Sequence, residues 1–195
     1  MRKTNQLYAA LLLLLTVALG ACGETEEVSR YDNWRTRSDA FMDSIAKVYQ
    51  DQQSGELNVT DEKDRLYAFQ DQTNGKTIYV KKIESGSGTV SPYFTSTVNA
   101  YYRMSYFNGD VVQQNFSGDA PTGVGDAPAT FTISSLITGW QYTLIYMKVG
   151  DFWTIYIPYE SGYADGTGGD GTLQPYSALV YNVKLDAITE LTRGE

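Results

Sequence analysis

Residues 134–158 read SSLITGWQYTLIYMKVGDFWTIYIP, and the changes of period inside this stretch decide the architecture. Trp140, Leu144 and Met147 fall four and three apart, the spacing of one helical face. Lys148-Val149-Gly150-Asp151 then supplies a turn. Beyond it Trp153, Ile155 and Ile157 alternate with Phe152, Thr154 and Tyr156, the period of a strand. One short helix is therefore dropped between strands. The flanking sequence is β on both sides. Val98, Ala100, Tyr102, Met104 and Tyr106 form one inward face, Phe131 and Ile133 another, and Leu179, Tyr181, Val183 and Leu185 a last one. This gives an α+β fold in which an antiparallel twisted sheet wraps on one short helix. The sequence shows no internal repeat.

Toward the N-terminus, Trp34, Phe41, Ile45 and Val48 lie seven, four and three apart, which predicts an amphipathic helix over 33–50 that packs on the main domain or a partner. Residues 51–64, DQQSGELNVTDEKD, read as a polar linker. RLYAF, the Asn74-Gly75 turn signal and KTIYVKKI predict a hairpin, and ESGSG at 84–88 ends its second strand.

Composition narrows the chemistry. The 195 residues contain no histidine and one cysteine. Serine-histidine-acid triads, histidine bases and histidine-ligated metals are excluded together. Arg2 and Lys3 precede the apolar run Leu7 to Leu19, too short to span a bilayer, and Leu19-Gly20-Ala21-Cys22 follows. The tetrapeptide resembles the lipobox of bacterial lipoproteins, which implies cleavage after residue 21 and lipidation of Cys22. Arg2 and Lys3 are the only charges before Cys22, so the remainder carries 13 basic and 23 acidic residues, a net charge of −10. Such a charge disfavours nucleic acid and anionic lipid as partners. Glu24-Thr25-Glu26-Glu27 reads as a solvated tether and resembles the acidic surface-export signals of Bacteroidetes lipoproteins. The Gly-rich GYADGTGGDGTLQP (162–175) has no lysine and two aspartates, which argues against phosphate binding. No spacing singles out a catalytic pair of carboxylates.

Five short motifs in order, YRMSYFNGDV, LITGW, MKVGDFW, IPYESGYADG and LQPYSALVYNVKL, together resemble the FKBP-type peptidyl-prolyl isomerase domain over residues 76–190. YVKKIESGSG (79–88) resembles the strand and Gly-rich turn that open it in secreted members. With the readings above, the chain divides into a signal peptide at 1–21, an acidic tether at 22–32 and a helical extension and linker at 33–75, and the resemblance adds an FKBP-like domain at 76–190. It implies that Trp140 floors a hydrophobic pocket for the substrate proline. Tyr102, Phe131, Leu136, Ile137, Tyr163 and Tyr181 would wall that pocket, with Leu173 on an overhanging loop. The Tyr163 hydroxyl and the Ile137 N–H would hydrogen-bond the substrate. No cofactor or metal is implied. The expected partners are proline-containing polypeptides at the cell envelope, met by a lipid-anchored monomer or weak dimer.

The family's Phe-Asp pair after the Asp-Gly turn is replaced here by Val112 and Gln113, removing an aromatic wall and a carboxylate. Asn108, Thr138, Ala164 and Gln174 are further departures. Changes in pocket walls alter transition-state binding by about 1 to 3 kcal/mol, so activity is expected to be lowered by about one to two orders of magnitude or lost. The alternative is a lipid-anchored binding module that kept the fold and lost the chemistry.

Overall fold

The computed structural model of the chain describes residues 29–168 and 171–193. Cys22, its lipobox and the acidic run lie outside the described residues. The chain divides into two units, Met1–Asp32 and Asn33–Glu195. In the first, residues 29–32 form a turn in which the Asp32 N–H donates to the Ser29 carbonyl (2.9 Å). The sheet and the helices described belong to the second unit.

Among the described residues seven strands make one antiparallel sheet: β1 (Leu66–Gln70), β2 (Thr77–Glu84), β3 (Thr97–Tyr106), β4 (Val111–Gln114), β5 (Ala129–Thr132), β6 (Phe152–Ile157) and β7 (Leu179–Glu190). Their order is β1-β2-β6-β7-β3-β4, with β5 also on β3. The length of β3 explains this sharing: its first half pairs with β5 and its second with β4. The sheet opens at Leu66, because β1 and β2 pair across the Asp71–Lys76 turn. Gly75 takes φ +75° there, a conformation glycine adopts without steric cost.

Register puts Val80, Ile155, Tyr181 and Met104 in one row across four strands. That face receives the short helix α2, Thr138–Leu144. Met147 lies beyond the end of α2, its N–H still donating to Leu144 O (3.0 Å), so the apolar spacing outlasts the helix by one turn. The Gly-Trp pair has a steric reason. A Cβ on Gly139 would stand 2.5 Å from Ile157 Cγ2, so only glycine lets the helix settle onto β6 and lower Trp140 into the face. The loop before β6 is equally tight. A Cβ on Gly86 would stand 2.2 Å from Val149 O, and the Gly86 and Lys148 N–H groups both donate to the Asp151 carboxylate (2.7 and 2.8 Å).

The opposite face is covered by the long helix α1, Trp34–Ser54. Phe41 meets Tyr156 and Phe107 (6.2 and 5.9 Å between ring centroids), and Tyr49 meets Tyr79 (5.5 Å). The structure corrects two expectations about this region. The polar stretch 51–64 is not all linker: α1 continues to Ser54, and Glu62–Asp64 forms a 3-10 turn. The inward stripe also leaves Val48, which is exposed, for Tyr49, since the buried Trp34 and Ser38 and the half-buried Phe41, Ile45, Tyr49 and Gln52 follow 3.6 residues per turn more faithfully. Strand β6 was expected to present one inward face. Instead Phe152, Trp153, Thr154 and Ile155 are all buried, because α1 and the loop carrying Phe116 cover its second side. Among the described residues no helix is long and apolar enough to cross a membrane.

Candidate active site

Trp140 is 3% exposed and boxed by three rings set edge-on to it. Tyr102 from β3 lies at 5.8 Å and 81°, Phe131 from β5 at 5.4 Å and 70°, and Tyr181 from β7 at 5.3 Å and 81°. Edge-to-face pairs of this kind add about 0.5 to 1.5 kcal/mol each beyond area burial. Sheet register creates the box, since Tyr102 pairs with Val183, Met104 with Tyr181, and Val98 with Phe131, all on the α2 side. Leu136, Ile137, Gln113 and Tyr163 complete the lining of a cavity of about 80 Å³. That is below the roughly 150 Å³ of a cavity that takes benzene and far below the 300 Å³ or more of drug-sized sites, so the space suits one small apolar ring.

Eight of the ten sequence-predicted pocket residues thus meet: Tyr102, Gln113, Phe131, Leu136, Ile137, Trp140, Tyr163 and Tyr181. Val112 and Leu173 do not line the cavity. Val112 occupies a bulge, because β4 pairs Gln113 with Met104 but Val111 with Ser105. Regular alternation counted from the turn cannot reveal such a shift. Leu173 is buried within its own loop, its N–H donating to Thr167 O (2.9 Å) and its side chain lying against Gly168.

The polar atoms are few. Tyr181 donates its hydroxyl to the Met104 sulfur at 2.8 Å. Burial, and next to it the neighbouring Tyr163 and Tyr102 hydroxyls, hold the Tyr181 phenol well above its ordinary pKa, and burial raises Tyr102 likewise. Both stay protonated near neutrality. The Trp140 indole N–H is buried with no hydrogen-bond partner among the described residues. Among those residues nothing accepts the Ile137 N–H either, which leaves a donor at the cavity wall. No lining residue is charged, and among the described residues no group of histidine, cysteine or carboxylate side chains is arranged to hold a metal ion. The arrangement can bind and orient a small ring and its flanking carbonyls, in a medium of low polarity.

Two supports of the site leave no signal in the sequence pattern. Asn115 bridges the gap between β4 and β5 on β3, its Oδ1 accepting from the Tyr102 N–H (2.7 Å) and its Nδ2 donating to Ala100 O (3.1 Å). Asp71 is the other, its carboxylate accepting from Thr138 at the start of α2 and from Ser161.

The model of the FKBP-type peptidyl-prolyl cis-trans isomerase family matches residues 88–186, just over half of the chain, and this span contains every lining residue of the cavity. The chain belongs to this family. Among relatives of this FKBP chain, the macrophage infectivity potentiator of Trypanosoma cruzi is 32% identical over 114 residues, covering 58% of this chain and 54% of its own. The peptidyl-prolyl cis-trans isomerase Mip of Coxiella burnetii is 32% identical over 108 residues, 55% and 43% of the respective chains. The outer membrane protein MIP of Legionella longbeachae is 28% identical over 108 residues, 55% and 42%. The chain spans about half the length of these relatives. A solved peptidyl-prolyl cis-trans isomerase from Pseudomonas syringae pv. tomato shares the fold, with a TM-score of 0.55 at 20% identity, covering 83% of this chain and 98% of that one.

Proposed function

We propose that the chain is a peptidyl-prolyl cis-trans isomerase of the cell envelope, tethered through a lipid on Cys22 and acting on Xaa-Pro bonds of polypeptide clients. The observation that carries this reading is the ring-walled Trp140 floor, with a free N–H at Ile137 and the Tyr163 hydroxyl beside a space of one small ring. An Xaa-Pro bond resists rotation by about 20 kcal/mol because resonance is lost as the amide twists. The twisted amide is less polar than the planar one, so an uncharged aromatic pocket favours it over the ground state. Catalysis then follows from binding the twisted geometry better than the planar one. Tyr163 and the Ile137 N–H hold the flanking carbonyls, and no proton need move.

Gln113 at the cavity wall offers no carboxylate to the substrate, and we read the activity as reduced by about one to two orders of magnitude relative to a fully equipped site. The chain acts as a monomer or weak dimer in this reading. Exchange spectroscopy on a Leu-Pro tetrapeptide with substoichiometric full chain in detergent tests it. Acceleration abolished by an equimolar macrolide such as tacrolimus is the expected result. Peptide or macrolide binding without acceleration would reject the enzyme and leave a non-catalytic binding module.

A further inference from the structure

Asp71 lies in the β1–β2 turn, outside the span matched by the family, yet its carboxylate reaches into the scaffold of the pocket. It is fully buried, and among the described residues no cation pairs with it. It accepts from the Thr73 N–H (2.9 Å), from Asn74 Nδ2 (2.9 Å), from Ser161 Oγ (2.7 Å), and from the Thr73 and Thr138 hydroxyls. A buried carboxylate without a cation is costly unless donors saturate it, and here the donors come from three separate segments. Thr138 is the first residue of α2 and follows Ile137; Ser161 ends the 159–161 turn, two residues before Tyr163. Asn74 ties the same turn a second time, donating to Glu160 O (3.1 Å).

We propose that Asp71 is a positioning residue for the proline pocket, clamping the start of α2 to the 159–161 turn so that the Ile137 N–H and the Tyr163 hydroxyl keep their separation. This rests on the isomerase reading above. Thr138 itself has no ring to fix its backbone, so side-chain hydrogen bonds from the hairpin supply the restraint. Ile137, at φ −59° and ψ 148°, already has the conformation required before a proline, and no acceptor is found for the Thr138 N–H among the described residues. A proline at position 138 would therefore enter as a first helical residue without loss of a backbone hydrogen bond, its ring fixing φ in place of the hydroxyl's bonds.

Asp71→Asn keeps the shape but turns an amide against the donors, and Thr138→Val removes the hydroxyl that reaches both Asp71 and Ser161 O (3.3 Å). Both should lower kcat/KM on the Leu-Pro tetrapeptide, Asp71→Asn by about tenfold, since small misplacements of positioning groups are costly. Both should also speed amide hydrogen exchange at Trp140 and Gln141, whose N–H groups close the first turn of α2 on Ile137 O, and leave Val183 in β7 protected. Adding Thr138→Pro to Asp71→Asn should restore slow exchange and most of the activity. Unchanged exchange at Trp140 in both variants, equal loosening at Val183, or no rescue by proline would overturn the proposal. Should the wild type prove inactive, the isomerase reading fails, while the amide exchange still decides what Asp71 holds.

Discussion

At the scale of the residue, Ala164 shows how closely the loop after β6 is constrained. It stands where the family has glycine, and it adopts φ +53°, held there by its N–H to Tyr159 O (2.7 Å) and by the Tyr176 N–H on its carbonyl (2.8 Å). A non-glycine residue in the left-handed region costs about 1 to 2 kcal/mol, partly offset by the lower entropy of the unfolded chain. Ala164→Gly should therefore raise unfolding stability by up to about 1 kcal/mol, read as a higher urea midpoint at constant slope. An unchanged or lower midpoint would show that the loop does not enforce this conformation. The departure at Ala164 was visible in the sequence, but the strain was not, since only the folded backbone fixes φ. Val112 failed for a related reason: a bulge leaves no mark in the hydrophobic pattern. For Trp140, Tyr102, Phe131 and Tyr181, strand alternation and helix spacing each assign an inward face without knowledge of the tertiary fold, but only the resemblance of the five motifs to the family makes of them a pocket rather than core.

At the scale of the element, α1 braces the loop that leads into β7. The Trp34 indole donates to Ser177 Oγ (2.8 Å), Ser38 Oγ accepts from the Ala178 N–H (2.6 Å), and Arg35 donates to the Tyr159 hydroxyl (3.0 Å) while lying over the Tyr176 ring. Trp34 also packs edge-on against Tyr106 (5.2 Å), whose hydroxyl accepts from the Gln174 N–H. The apolar stripe foretold a packed helix. The contact with loop 173–178 was illegible, because it depends on polar atoms of Trp34 and Ser38 finding partners about 140 residues away. Trp34→Ala should cost about 3 to 5 kcal/mol of stability, a typical loss for a buried Trp. Trp34→Phe, which keeps a six-membered aromatic ring but loses the indole N–H and the pyrrole part, should cost less, about 2 kcal/mol. Chemical denaturation of both variants checks the ratio; equal losses would mean that the indole N–H, not the packing, dominates.

At the scale of the whole molecule, the ionisable groups set a wide plateau of stability. Burial alone would raise the Asp71 pKa, but hydrogen bonds from Thr138, Thr73 and Ser161 outweigh it and hold it below the ordinary 3.8. Its contribution is complete above that value and is lost as pH falls through the lower folded-state pKa. Burial pushes Tyr181, Tyr156, Tyr102 and Tyr79 above 10.0, so their contribution is complete below that value and is lost as pH rises toward the folded-state pKa values. With no histidine in the chain and no carboxylate at the cavity, melting temperature and isomerase rate should both be nearly flat from about pH 5 to pH 9. A bell-shaped rate profile in that range would require an acid or base that the cavity lining does not contain. The central claim, that an aromatic floor rather than a proton-transfer group rotates the Xaa-Pro bond, is tested most directly at Trp140. Catalysed exchange of the Leu-Pro tetrapeptide should be compared by NMR for the wild type and Trp140→Leu, with the β7 amide signals of both recorded as proof of folding. Acceleration by the wild type should fall at least about tenfold in the variant, the loss expected for roughly 1.4 kcal/mol of transition-state binding. Equal acceleration by the two folded proteins would contradict that claim.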